Sequence, residues 1–165
     1  YLPFMCILCY ILTIHVYPLL CGLLYRTNWC DPNIPVSQWY KVGVLLSRVH
    51  SIVMSSNGME GKLTSLLGNL TELRMIELAT MPGLNCQLPK EMCGILTLRR
   101  LCICRCSLRG TIPDAIGNLV NLEELQLFGN CLTGLIPDSL SKLSKLRLLS
   151  LGEYTGEIVW CDSIV

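Results

Sequence analysis

The clearest candidate for metal or redox chemistry is a run of alternating cysteines, Cys102, Cys104 and Cys106. A tetrahedral zinc site takes about four ligands, usually from C-x₂₋₄-C pairs on turns. On a strand Cys102 and Cys104 would share one side about 7 Å apart, whereas Cys106 falls on an inward-facing turn position of the repeat described below. We therefore expect no metal site, no cofactor and packed cysteines. The alternative is that Cys102 and Cys104 form an exposed redox-sensitive pair.

Other catalytic patterns do not occur in the sequence. The two histidines, His15 and His50, lie away from these cysteines in the chain, and we find no Gly-rich phosphate loop and no nucleophile elbow. The 13 Lys and Arg residues nearly balance the 12 Asp and Glu residues, for a net charge of +1. That balance gives no electrostatic signal for nucleic acid. We predict a protein that is not an enzyme and does not bind nucleic acid.

The first 25 residues carry no charge, and Arg26 ends this segment. About 25 helical residues could cross a bilayer, but Pro3 and Pro18 interrupt them. The remaining apolar block, 4–17, has the length of a secretory signal core, although no Met begins the chain and no basic residue precedes the block. Three interpretations stay open: a signal or signal anchor, a membrane span, and a truncated or mistranslated start. We expect membrane contact only through 1–25, if at all.

The residues further along the chain repeat at a fixed interval. Pro89, Pro113 and Pro137 recur every 24 residues. Apolar residues keep the same offsets between them: Leu73, Ile76 and Leu78; Leu98, Leu101 and Ile103; Leu122, Leu125 and Leu127; Leu146, Leu149 and Leu151. Such a period predicts a solenoid in which each unit buries its inner face against its neighbours.

Each unit has a physical interpretation. The alternation Leu125-x-Leu127 predicts a short strand with one buried face. A buried Asn130 can satisfy turn backbone groups that no strand pairs. Gly134 permits a positive φ, and Pro137 suits the start of a helical turn.

The whole pattern resembles the plant-type leucine-rich repeat. The stretch "NLEELQLFGNCLTGLIPDSLSKL" fits it at nearly every defining position, and "TLRRLCICRCSLRGTIPDAIGNL" fits with Cys106 in the asparagine place. The earlier repeats fit less well, with Thr64 and Cys86 where Pro and Gly are expected. Upstream, "LLYRTNWCDPNIPVSQWYKVGVLLSRVHSI" resembles the amino-terminal cap of such proteins. The resemblance implies an α/β solenoid: a right-handed superhelix with a parallel β-sheet on its concave face and 3₁₀ or short helical turns on its convex face.

These patterns divide the chain into four segments. We predict an apolar segment at 1–22, a cap-like region at 23–47, leucine-rich repeats at 48–158 and a truncated C-terminus at 159–165. The repeats number about four, plus a degenerate fifth in "GEYTGEIVW", where Trp160 stands in place of Pro. The chain is therefore expected to be a fragment or a degenerate member.

The alignment also predicts which side chains line the concave face. Neighbouring strands lie about 4.8 Å apart, so Arg100 and Glu124 should lie side by side, with Glu77 close to Arg100 or Cys102. An exposed Phe128 would be an aromatic anchor for a partner; the alternative is a solvated sheet face with one weak ion pair. The predicted ligand-binding residues are Met75, Glu77, Arg100, Cys102, Glu124, Gln126, Phe128 and Leu148.

The resemblance implies a non-catalytic recognition module that binds a protein or peptide ligand, or a co-receptor, in receptor-like signalling or defence. Its location would then be secreted or at the cell surface. Asn69-Leu70-Thr71 is an N-glycosylation acceptor pattern, which would matter only there. Two alternatives stay open: a degenerate or partial gene product with no binding role, and a cytoplasmic scaffold, which unpaired cysteines would favour.

Overall fold

The structure, a computed structural model, describes residues 42–45, 48–55, 62–63 and 65–152. These residues form eight strands and four short 3₁₀ helices. The strands are Val42–Leu45 (β1), Arg48–Ser55 (β2), Met75–Ala79 (β3), Arg100–Cys104 (β4), Arg109–Gly110 (β5), Glu124–Gln126 (β6), Cys131–Leu132 (β7) and Leu148–Ser150 (β8). The 3₁₀ helices are Ser65–Asn69, Lys90–Gly94, Asp114–Asn118 and Asp138–Lys142.

Six of the strands make one sheet in the order β1-β2-β3-β4-β6-β8. From β2 onwards all neighbouring strands are parallel, and a 3₁₀ helix lies between each strand and the next. Only β1 runs antiparallel, against β2, with an irregularity between Gly43 and Val44. The predicted α/β solenoid with a parallel sheet and short helical turns is confirmed.

Alternating side chains of the strands build the core. In β3 the burial alternates residue by residue, with Ile76 and Leu78 inside. The same inward positions of the next two repeats are at most 1% exposed. They are Leu101, Ile103, Leu125 and Leu127. Because these residues stack from repeat to repeat, the hydrophobic contacts that stabilise one unit come largely from its neighbours.

Each of the three repeating prolines lies directly before a 3₁₀ helix. Pro89, Pro113 and Pro137 have extended backbones with φ near that of an ideal proline, −65, −69 and −65°. A proline suits this place because its missing N–H would have no partner in the first turn. The helix after Pro113 turns Ile116 and Leu119 into the core with no exposed area. The predicted role of these prolines is confirmed.

A second, two-stranded sheet is formed by β5 and β7. In the chain, each of them follows a strand of the main sheet and precedes a 3₁₀ helix. Gly134 directly follows this region and adopts φ +84°, as the sequence predicted. A Cβ on Gly134 would lie 2.7 Å from Cγ2 of Thr111 in the preceding repeat. Cys86, which occupies the glycine place of an earlier repeat, is half-buried, and its sulfur accepts a hydrogen bond from the Leu63 N–H at 3.3 Å.

Asn130 ties two repeats together from inside the core. It is 3% exposed, and its Oδ1 accepts hydrogen bonds from the N–H groups of Cys106 (3.0 Å) and Leu108 (3.1 Å). Its Nδ2 donates to the carbonyls of Ile103 (2.6 Å) and Leu127 (2.7 Å). Three of these four partners belong to the preceding repeat. The side chain therefore forms more hydrogen bonds with the backbone of the preceding repeat than with that of its own.

The last described repeat departs from the prediction at its inward positions. Leu149 is 44% exposed, and Leu140 and Leu151 are half-buried, although the sequence places all three inward. The reason is that no described strand pairs with the outer edge of β8. The predicted segments 1–22 and 159–165 lie outside the described residues. Of the cap-like region 23–47 only β1 is described.

Candidate functional site

The outward side chains of β2, β3, β4, β6 and β8 form the candidate site, which we call the sheet face. Strand pairing places Ser51, Met75, Arg100, Glu124 and Leu148 in one column across the sheet. A second column holds Val53, Glu77, Cys102, Gln126 and Ser150. These are the neighbours that the sequence alignment gives, so the sheet brings most of the predicted ligand-binding residues together.

Arg100 holds two carboxylates at the centre of the sheet face. Its Nη2 lies 2.6 Å from Oε1 of Glu124, and its Nη1 lies 3.1 Å from Oε1 of Glu77. The hydrogen bond to Glu124 is the main cause that raises the pKa of Arg100, with Glu77 adding to it. The sequence predicted a single weak ion pair as one alternative; the structure shows one guanidinium bridging three strands. Such a bridge fixes side chains that a partner would otherwise have to order.

The uncharged part of the sheet face surrounds this bridge. Met75 and Gln126 are half-buried, and Leu148 is 44% exposed. Their combination of apolar area with an amide offers a partner both burial and hydrogen bonds, as protein interfaces do. That any of these residues binds a ligand stays a prediction.

Phe128 is not exposed in the way the sequence suggested. It follows β6 and is half-buried, and the guanidinium carbon of Arg105 lies 6.0 Å from the centre of its ring. Arg105 itself adopts φ +55°, a conformation that is uncommon for a residue other than glycine. Phe128 and Arg105 thus form a pair at the end of the strands, and the sequence analysis did not identify the contact with this arginine. That Phe128 binds a partner stays a prediction.

The three cysteines of β4 and its turn are buried. Cys102 and Cys104 are 8% exposed and Cys106 is fully buried, so the alternative of an exposed redox pair is wrong. Burial is the main cause that raises the pKa of Cys102 to about 11, of Cys104 to about 12 and of Cys106 to about 11. At neutral pH these groups are thiols, which are poor nucleophiles and poor metal ligands. Cys102 thus contributes only a small part of its surface to the sheet face.

Sequence reasoning missed a row of charges beside the sheet face. Arg74, Arg99, Glu123 and Arg147 each directly precede a strand, and we call this row the N-terminal border. Backbone hydrogen bonds join them in that order, so they lie one strand spacing apart. Arg99 binds Glu123 at 2.9 Å, while Arg74 and Arg147 are exposed. The 24-residue period could have found this row, because it lies one position before each strand.

Other kinds of site are not seen in the described part of the chain. Within it, no group of three or more His, Cys, Asp or Glu side chains could hold a metal ion. Over the same residues, no helix is both long and apolar enough to cross a bilayer. The stretch 1–25, through which any membrane contact was predicted, lies outside the described residues.

Repeated strand, turn and 3₁₀ helix, a parallel sheet with an outward polar face, and a buried turn asparagine define a leucine-rich-repeat solenoid. Residues 97–153 match the leucine-rich-repeat family model. This match, together with the fold that the chain shares with its structural neighbours, supports a leucine-rich-repeat protein of the plant type.

Three solved structures illustrate the similarity. The ectodomain of the Arabidopsis thaliana receptor kinase GASSHO1/SCHENGEN3, in complex with CASPARIAN STRIP INTEGRITY FACTOR 2, has a TM-score of 0.74 and 24% identity over 89% of this chain and 18% of its own. A plant ice-binding protein has a TM-score of 0.72 and 26% identity over 76% and 42%. The BIR2 ectodomain from Arabidopsis thaliana has a TM-score of 0.74 and 22% identity over 93% and 82%. This chain thus spans less than half the length of the first two. No curated protein matches the sequence.

Proposed function

We propose that the chain is a non-catalytic recognition module whose sheet face binds a protein or peptide partner in receptor-like signalling or defence. The observation that carries the proposal is the prearranged bridge of Glu77, Arg100 and Glu124, which lies among the half-buried Met75 and Gln126 on a rigid sheet. Prearranged polar groups next to apolar area favour binding because little freedom is lost on association. The bound factor in the GASSHO1/SCHENGEN3 structure shows that a similar solenoid takes a partner of its own.

Peptide display tests this proposal directly. A library of random 12-residue peptides is selected on the full chain, and the dissociation constants of the selected peptides are measured by fluorescence anisotropy. Gln126→Trp adds a bulky neutral side chain to the sheet face. Val120→Trp adds the same side chain at an exposed turn outside that face.

We expect Gln126→Trp to weaken binding at least tenfold, on the order of one hot-spot contact, and Val120→Trp to leave it within about twofold. Circular dichroism melting curves show whether each variant is folded. Selection without any binder, or binders that Val120→Trp weakens more than Gln126→Trp, would overturn the proposed function. A chain that is merely a degenerate copy gives the first of these results.

We also propose that the chain works outside the cell. Asn69 and Thr71 of the glycosylation pattern are both exposed, at the end of the helix Ser65–Asn69 and just after it. Expression from the natural transcript, followed by endoglycosidase treatment, tests this. A secreted product whose mass falls on treatment, but not after Asn69→Gln, supports an extracellular location. A cytosolic product without a glycan would favour the scaffold alternative, which the six free thiols of the described residues also suit.

A further inference from the structure

Every described carboxylate on the sheet face and its N-terminal border lies beside an arginine. Glu123 is bound by Arg99 at 2.9 Å, and Glu77 and Glu124 are both bound by Arg100. A guanidinium next to each carboxylate weakens the attraction of that carboxylate for a cationic partner. Arg100 offsets one of the two charges of Glu77 and Glu124, so this group keeps one net negative charge.

Among the described residues from 62 to 152, four arginines have no carboxylate partner, and three of them flank the sheet face; the fourth is Arg109 of β5. Arg74 and Arg147 lie on the N-terminal border, and Arg105 lies over Phe128 at the opposite end of the strands. All three are exposed. These three exposed positive charges outnumber the one net negative charge left on the Arg100 bridge, so a partner with negative charge fits the two ends of the sheet face.

The two border arginines set a spacing. Backbone hydrogen bonds link Arg74 to Arg99, Arg99 to Glu123, and Glu123 to Arg147. Three steps of about 4.8 Å separate Arg74 from Arg147, or about 14 Å. The two positions between them form a neutral ion pair. An extended chain advances about 3.3 Å per residue, so it covers that distance in about four residues.

Each of these arginines is also followed by an apolar residue on the sheet face. Met75 follows Arg74 and is half-buried, and Leu148 follows Arg147 and is 44% exposed. A carboxylate can form two hydrogen bonds with a guanidinium, while the apolar neighbour accepts an apolar side chain. A peptide supplies both kinds of group at a fixed distance, whereas a uniformly charged polysaccharide supplies only the charge.

We propose that the partner segment is an acidic peptide that lies across the strands and carries two carboxylates about four residues apart, each next to an apolar residue. This inference rests on the proposed function and names the partner of the same sheet face.

The test uses defined peptides and the full chain. Fluorescein-labelled ten-residue peptides carry two Asp-Leu pairs whose Asp residues stand two, four or six positions apart, and a fourth peptide has Asn in place of both Asp. Anisotropy titrations compare the wild type with the double variant Arg74→Gln, Arg147→Gln. The matched control, Arg109→Gln with Lys142→Gln, removes the same charge from two exposed residues outside the sheet face and its border.

We expect the four-residue spacing to bind about fivefold to twentyfold more tightly than the Asn peptide, as for two exposed ion pairs. The border double variant should lose this preference, the matched control should keep it, and Arg74→Lys with Arg147→Lys should retain part of it. Polygalacturonate should compete only at a much higher concentration of charge.

Two outcomes overturn the inference. If peptides of all spacings bind equally and polygalacturonate displaces them at equal charge, the border attracts any polyanion. If the peptides obtained by display bind the sheet face but are neutral or basic, the proposed function stands and only the inference fails. If the display selection yields no peptide that binds the sheet face, the proposed function itself is wrong.

Discussion

Asn130→Ala removes the one buried polar side chain of the described core and should destabilise the protein strongly. The substitution leaves two N–H groups, of Cys106 and Leu108, without their acceptor. It also leaves the carbonyls of Ile103 and Leu127 without this donor. No other backbone hydrogen bond of the described residues replaces the two lost at the N–H groups.

The magnitude follows from these four groups. A buried polar group without a partner costs about 1–3 kcal/mol, so the two N–H groups alone cost about 2–6 kcal/mol. Carbonyls have a second lone pair and lose less, and a water molecule that enters the vacated space would recover part of the loss. We expect a fall of about 3–5 kcal/mol in the free energy of unfolding, a large fraction of the stability of an ordinary domain.

Urea denaturation followed by circular dichroism measures this change. Asn121→Ala is the matched control, because Asn121 donates one hydrogen bond to the Leu96 carbonyl and accepts one from Lys145 at an exposed position. It should cost about 1 kcal/mol or less. If Asn130→Ala costs no more than Asn121→Ala, the reasoning that this side chain joins two repeats is wrong.

Three further perturbations have expected outcomes. Gly134→Ala should lower the free energy of unfolding by about 1–3 kcal/mol, because φ is +84° and the added Cβ would meet the preceding repeat. The control Gly94→Ala should change the urea midpoint little, because its Cβ would meet nothing within 4 Å. Arg100→Gln should lower the free energy of unfolding by about 0.5–2 kcal/mol, and this loss should shrink when salt is added. Burial raises the thiol pKa of Cys102 to about 11 and of Cys104 to about 12 from an ordinary 9.0. As pH rises, the unfolded chain therefore loses these protons before the folded chain does. Thermal stability should fall as pH rises from about 9 towards 11. A melting temperature that is constant over that pH range, or equal for the wild type and the Cys102→Ala, Cys104→Ala variant at every pH, contradicts the last prediction.

The repeat made most of the fold predictable. The strand leucines, the prolines before the 3₁₀ helices and the turn role of Asn130 all follow from a period of 24 residues, because a solenoid places equivalent residues in equivalent surroundings. The period could not show which of the neighbouring repeats the side chain of Asn130 contacts. The amide of Asn130 reaches back into the preceding repeat, and that choice depends on how the units stack.

For the candidate site, the sequence predicted which side chains lie side by side across the sheet. It did not predict which of these side chains bind one another. Register placed Arg100 beside Glu124, but only the side-chain conformation shows that Arg100 also holds Glu77. Phe128 was expected to be exposed, but it is half-buried, and the guanidinium of Arg105 from the preceding repeat lies over its ring. The exposure of Leu149 was missed as well, since burial in the last described repeat depends on what lies beyond β8.

The most direct test of the central claim is to locate a bound peptide on the surface. A selected peptide that carries a benzophenone group is bound to the full chain, irradiated and mapped by mass spectrometry. The account predicts cross-links to the sheet face, above all to Met75 and to the peptide that contains Leu148. Cross-links confined to the turns that hold Leu96 and Val120 would contradict it, because those residues lie outside the sheet face.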